Sequence, residues 1–185
     1  MNKLRWIFLI VFVGAYPVVQ AQRFISRLVV VKFESSTPLE TIRAENKNGV
    51  LLLDLQSGRV EAAVLIKGFL FRKALMQQHF NDSYMESDKF PKAGFVGQFD
   101  PSALSVTKTG KQIITITGKL TIHGKEQPHS CKAVLEFKEG NCMAVSSFQV
   151  KPEDFSIQIP ALVRDNINKE LTVELNSGWM KSSTN

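Results

Sequence analysis

The sequence has no run of lysine or arginine, no internal repeat and no low-complexity tract. Its formal charge of +6 comes from 23 basic and 17 acidic residues spread along the chain. A nucleic-acid surface gathers such charge into a patch or stripe. The excess therefore predicts solubility and weak attraction to anionic surfaces, not nucleic-acid binding. Histidine is scarce: there are three, His79, His123 and His129, in no HxH or HxxxH spacing. A metal site needs several converging ligands with supporting partners, so neither a metal nor a cofactor is expected. No G-x-S-x-G elbow is present, and nothing in the sequence places a nucleophile beside a base. Glu86 with Asp88, and Glu153 with Asp154, read as solvated loop charges. The residues point to a binding protein and not to an enzyme.

Long apolar runs are also missing, with one exception. Residues 6–16 (WIFLIVFVGAY) form an uncharged apolar stretch of eleven residues. Lys3 and Arg5 precede it, Pro17 breaks it, and Val19 and Ala21 offer small side chains ahead of Gln22. Those are the three parts of a cleavable secretory signal. A membrane anchor would need about 20 apolar residues. Residue 22 is Gln and not Cys, so a lipoprotein anchor has no attachment point. The expectation is a signal peptide at 1–21, cleaved near Ala21-Gln22, a domain at 22–176 and a frayed tail at 177–185. The protein would be periplasmic or secreted, with no transmembrane segment in the mature chain.

There are only two cysteines, Cys131 and Cys142. An exported chain invites a disulfide, but the local pattern opposes one. Lys138-Glu139-Gly140-Asn141 reads as a hairpin turn, which sets Cys142 against Phe137 and Cys131 against Phe148. The two sulfurs are then several residue pairs apart, too far to bond, and two buried free thiols are favoured.

What is abundant is period-two alternation. Val29, Val31 and Phe33 share one face of an early strand. Residues 50–55 form the next, closed by a turn at 56–59. Val60, Ala62, Val64 and Ile66 then alternate with Glu61, Ala63, Leu65 and Lys67. Phe95, Gly97 and Phe99 mark a further strand. In 112–123, Ile114, Ile116, Gly118, Leu120 and Ile122 lie on one face, and Thr115, Thr117, Lys119, Thr121 and His123 on the other. The hairpin 130–150 follows, and Leu171, Val173 and Leu175 close the domain. About eight strands with turns between them predict an all-β antiparallel sandwich or barrel. Closure removes exposed edges, and eight strands leave an interior that is either filled or holds one small ligand. Residues 73–85 break the pattern. Leu75, Met76, His79 and Phe80 fall on one face of a short helix, around 73–81. A second helical turn is expected at 161–169, after Pro160.

Three blocks, in order, resemble the YceI-like family. The first is Phe69-Leu70-Phe71, Ala74-Leu75-Met76-Gln77-Gln78-His79-Phe80-Asn81, Tyr84-Met85-Glu86-Ser87-Asp88-Lys89-Phe90-Pro91-Lys92-Ala93 and Phe95. The second is Thr117-Gly118-Lys119-Leu120-Thr121-Ile122-His123-Gly124. The third is Phe148, Glu153-Asp154-Phe155, Ile157 and Ile159-Pro160. The resemblance covers about residues 32–175. It implies a lipocalin-like, eight-stranded antiparallel barrel whose long apolar cavity, in some members, holds a polyisoprenoid or another long-chain amphiphile. It also implies a periplasmic or secreted bacterial protein. Many members carry an aromatic–Asp and His–Ser pattern in the first strand; this chain departs from it with Phe24-Ile25-Ser26-Arg27-Leu28.

Thirteen phenylalanines, two of them (Phe8 and Phe12) before residue 22, stand against two tyrosines and two tryptophans. Phe suits a dry interior with no polar handle to satisfy. Phe33, Phe69, Phe71, Phe95, Phe99 and Phe148 are candidates for the wall of an apolar bore, as are Val64, Ile66, Ile114 and Ile116. The same residues would equally build an ordinary core. Leu75, Met76 and Phe80 on the helix either close one mouth as a lid, with Met76 adaptable to varied shapes, or plug the barrel. Two functions stay open: a binding protein for a long-chain lipid or isoprenoid, or an envelope stress or interaction protein with a filled barrel.

Overall fold

The computed structural model describes residues 22–105 and 109–183; the signal-peptide expectation at 1–21 lies outside them. The strands are β1 (Arg23–Ser36), β2 (Thr41–Asp54), β3 (Arg59–Leu65), β4 (Leu70–Phe71), β5 (Lys92–Gln98), β6 (Gly110–Ile122), β7 (Lys125–Lys138), β8 (Asn141–Val150) and β9 (Leu171–Ser183). One helix, α1 (Ala74–His79), runs into a π-turn at Phe80–Tyr84. All pairings are antiparallel, in the order β1-β9-β8-β7-β6-β5-β3-β2, and β1 pairs with β2 to close the ring. Two-residue β4 hangs on β2 outside that ring. This is the expected closed eight-stranded barrel with one short helix. Among the described residues, no helix is long and apolar enough to cross a membrane.

Register fixes the two ends. At one end meet the pairs Arg23↔Asp54, Arg59↔Gln98, Gly110↔Phe137 and Lys138↔Asn141. At the other meet Ser36↔Thr41, Leu65↔Lys92, Ile122↔Lys125 and Val150↔Leu171. Helix α1 and the long connection between β8 and β9 both leave from this second end.

The strands follow from alternation. On β6, Ile114, Ile116 and Leu120 are buried while Ile113, Thr115 and Thr117 face outward. Between Ile116 and Leu120 the inward face is reduced to Gly118, paired with Gly97 of β5. A Cβ on Gly118 would lie 2.3 Å from the Val96 carbonyl oxygen and 2.9 Å from the Phe95 ring. The glycine pair thus clears the space that the Phe95 ring occupies. The β7–β8 turn has the expected register, with Phe137 opposite Cys142, and both cysteines are free thiols.

Three expectations need correction. The tail does not fray at 177: β9 continues to Ser183, with Ser177 and Met180 each 1% exposed. A kink hides this strand from period-two reading. Gly178 has φ +62°, and the Ser177 hydroxyl accepts the Ala144 N–H. The strand starting near residue 50 begins at Thr41; its first half is polar and bulged, with register shifts opposite Val29. His123 is not on a strand face but in the β6–β7 turn, with φ +51°. Its Nε2 meets the Glu86 carboxylate at 2.9 Å, and its ring packs on Phe90 at 4.5 Å. The expected turn after Pro160 is present at Ala161–Asn166.

Candidate ligand cavity

The two ends of the barrel are packed differently. Toward the first end, Phe24, Phe99, Ile114, Cys142 and Met180 fill the interior, each 4% exposed or less. The Phe24 and Phe137 rings meet edge to face at 6.4 Å. Above this plug the interior is hollow. A cavity of about 260 Å³ rises from a floor that includes Leu53, Val60 and Leu135 to the second end. Its wall is apolar apart from a few groups. The Ser35 hydroxyl accepts the Asn168 N–H, and the Ser146 hydroxyl donates to the Lys132 carbonyl, so both are satisfied within the protein. Tyr84 and His129 are the remaining polar side chains. Burial holds the His129 imidazole below its ordinary pKa, which keeps it neutral at pH 7.

Ten of the thirteen expected wall residues line this cavity: Phe33, Val64, Ile66, Phe69, Phe71, Met76, Phe80, Phe95, Ile116 and Phe148. Three do not. Phe99 lies just past β5, where its N–H donates to the Gly58 carbonyl, and it belongs to the plug. Ile114 shares a strand face with Ile116 but sits one inward position lower, 1% exposed in solid core. Leu75 is 63% exposed. The inward side of α1 is Met76, Gln77 and Phe80, because successive helix positions turn by about 100° and this phase carries Leu75 and His79 outward. Sequence reasoning also missed Ile157, Ile159 and Ile167. They come from the irregular connection after β8, where no periodicity marks a face.

The helix lies across the second end and is clasped there. Phe80 stacks on Phe33 at 5.5 Å and meets Phe71 at 4.9 Å and Phe69 at 5.8 Å. The Phe71 N–H donates to the Gln77 side chain at 3.1 Å. Lys73 reaches across to Glu40 of the β1–β2 turn at 2.8 Å, and that ammonium group holds the Glu40 carboxyl below its ordinary pKa. Among the described residues, no group of three or more His, Cys, Asp or Glu side chains converges as a metal site would.

A family model of the YceI-like domain matches residues 27–177. The chain belongs to the YceI-like family. Solved structures of low identity share its fold. A polyisoprenoid-binding domain from Saccharophagus degradans, implicated in plant cell wall breakdown, has a TM-score of 0.73 at 12% identity, covering 88% of this chain and 99% of that one. BcnA of Burkholderia cenocepacia has a TM-score of 0.67 at 14% identity, covering 80% and 94%. The YCEI protein of Campylobacter jejuni has a TM-score of 0.57 at 12% identity, covering 75% and 81%. No curated protein sequence matches the chain. This YceI-like chain thus keeps the barrel of its structural neighbours while sharing few of their residues.

Proposed function

We propose that this YceI-like protein is an exported binding protein that holds one long-chain apolar ligand, a polyisoprenoid or fatty-acyl amphiphile, in the barrel. The observation that carries the reading is the cavity of about 260 Å³ with an almost wholly apolar wall. Small-molecule sites run to about 300–1,000 Å³, so the bore suits a slender chain better than a bulky ring system. A dry apolar cavity forfeits dispersion contacts along its lining, and an entering chain restores them. Each methylene moved from water adds about 0.8 kcal/mol. Phe33, Phe95 and Phe148 would grip the chain by shape, and the clasped helix would shield it from water at the second end. A binding role fits a wall that is apolar apart from Ser35, Tyr84, His129, Cys131 and Ser146. The polyisoprenoid binding of the Saccharophagus degradans domain supports this ligand class. Export is supported by residues 1–21, whose charged start, apolar run and small residues before Gln22 match a secretory signal.

Native mass spectrometry of the mature protein, expressed with its own leader and purified without detergent, tests the reading. Adducts that extract as long-chain lipid, or stoichiometric uptake of added prenyl or acyl chains, are expected. Bare protein in both experiments would reject the carrier function.

A further inference from the structure

The barrel wall has a seam. Pairing of β6 with β7 is unbroken from Gly110↔Phe137 to Ile122↔Lys125, and β8 stays with β9 to Val150↔Leu171. Between β7 and β8, by contrast, pairing ends at Ala133↔Ser146. Residues 125–132 and 147–150 therefore face each other across the wall without a ladder. Side chains bridge the gap. At one end the Ser146 hydroxyl donates to the Lys132 carbonyl at 2.8 Å. At the other, the Gln127 amide donates to the Asp154 carbonyl at 2.8 Å. Between them the His129 ring meets Phe148 edge to face at 4.7 Å, and among the described residues no hydrogen-bond partner reaches its buried Nε2.

Outside the seam lies a second cavity of about 160 Å³. Leu120, His129 and Val150 line both it and the bore, so the partition is one side chain thick. The outer groove is half polar: Gln127, Gln149, Lys151, Asp154 and Glu170 contribute to it beside Leu120, Val150 and Phe155. Its charges are two carboxylates and one ammonium, and Lys151 is already paired with Glu170 at 3.4 Å. An anionic group placed there would meet uncompensated negative charge.

We propose that the seam is a head-group subsite: the chain lies in the bore and its polar end reaches the outer groove by parting the ring contact between His129 and Phe148, and there an uncharged hydroxyl or amide, not an anionic group, is preferred. This rests on the carrier reading and names the ligand class within it. Passage here leaves the Phe33–Phe80 clasp and the Lys73–Glu40 tie at the lid undisturbed. A hydroxyl or amide both donates and accepts, so it suits Gln127 and Gln149 as well as the unpaired strand edges.

Two experiments on the mature protein test it. The first compares the affinities of a long-chain alcohol, primary amide and carboxylate of equal carbon count at pH 8. The alcohol and amide should bind at least about fivefold tighter than the carboxylate, the scale of one close charge repulsion in water. The exposed double variant Asp154→Asn with Glu170→Gln should remove that preference. Equal affinities for all three in the unaltered protein would overturn the proposal. The second uses the same chain carrying a nitroxide at its amide head. NMR signals of Gln127, Gln149 and Asp154 should broaden. Broadening at Leu39, Leu75 and Leu162 around the lid instead would overturn the seam while leaving the carrier function standing. Absence of uptake for every chain would remove both.

Discussion

The two ends of this barrel are built from the same alternating strands, yet one is solid and the other hollow. Beta-strand 6 passes through both. Ile114 sits in the plug with Phe24, Phe99 and Met180 around it. Eight residues on, Ile122 lines the bore. The difference shows how a small barrel divides its labour. Close packing at one end supplies stability and closes the ring, which frees the other end to forgo packing. A cavity costs stability in proportion to the contacts it forfeits, so it is tolerable only where another region is packed well.

Paired truncations on β6 give the largest test of this contrast. Ile114→Ala should cost about 3 kcal/mol, within the range for emptying a tightly packed site. Ile122→Ala should cost about 1 kcal/mol, because it enlarges a cavity and opens no new one. Urea unfolding of the ligand-free protein measures both. Equal losses would show that the bore collapses in solution and that the ends do not differ.

Enlarging side chains should invert the order. Ile114→Phe overpacks the plug and should cost about 2 kcal/mol. Ala62→Phe projects into the bore, where it has room. It should leave the unfolding midpoint unchanged or raised while abolishing chain uptake in native mass spectra. Retention of full uptake by Ala62→Phe would place the ligand elsewhere on the protein.

The sequence carried the faces of this barrel but not its depth. Alternation told which β6 residues point inward, and the Glu139-Gly140 turn set the β7–β8 register. Nothing in period two distinguishes Ile114 from Ile116, because where a plug ends depends on side chains from other strands at the same height. Thr41 to Gly49 escaped notice because a bulge and a polar composition break its phase, and Ser177-Gly178 did the same to β9. Leu75 shows the converse error: an apolar residue is assumed to face inward, whereas α1 is anchored by Phe80 and that anchor sets the phase. The seam was unreadable for a different reason. Residues 125–132 (KEQPHSCK) offer almost no apolar side chain to alternate, and Pro128, which cannot donate to a ladder, hints at an edge without saying where the strands part.

Asp54 tests the solid end through pH. Burial pushes its carboxyl up, but the Ser57 N–H, the Arg23 guanidinium and the Gln56 N–H all donate to it, and the net pKa lies below the ordinary 3.8. The folded value is the lower one. Its stabilisation is therefore present above 3.8 and disappears as pH falls through the folded value. Asp54→Asn should cost about 2 kcal/mol at pH 7, the scale of hydrogen bonds to a charged group, and nearly nothing once pH is low enough to protonate Asp54 in the folded protein. At the lid the Lys73 ammonium also holds the Glu40 carboxyl low, but that ammonium is exposed and solvent screens the pair, so Glu40→Gln should change the acid side of the unfolding profile in the same sense and by less. A profile for Asp54→Asn parallel to that of the unaltered protein would show that the closing ion pair contributes nothing.

The two cysteines give the smallest but most local probe, since each belongs to one region. Cys142 is fully buried beside the plug, and burial pushes its thiol up to about 12. At pH 8 only about one molecule in ten thousand would carry the thiolate, the form that reacts. Cys131 is partly exposed and lines the bore. An alkyl maleimide should therefore label the native protein once, at Cys131, and twice in denaturant. Its alkyl tail would then occupy the space proposed for the ligand, so the labelled protein should lose chain uptake without loss of fold, and bound chain should slow labelling. Labelling of Cys142 at a rate like that of Cys131 would mean that the plug opens as readily as the bore, and the division between a solid and a hollow end would not describe the protein in solution.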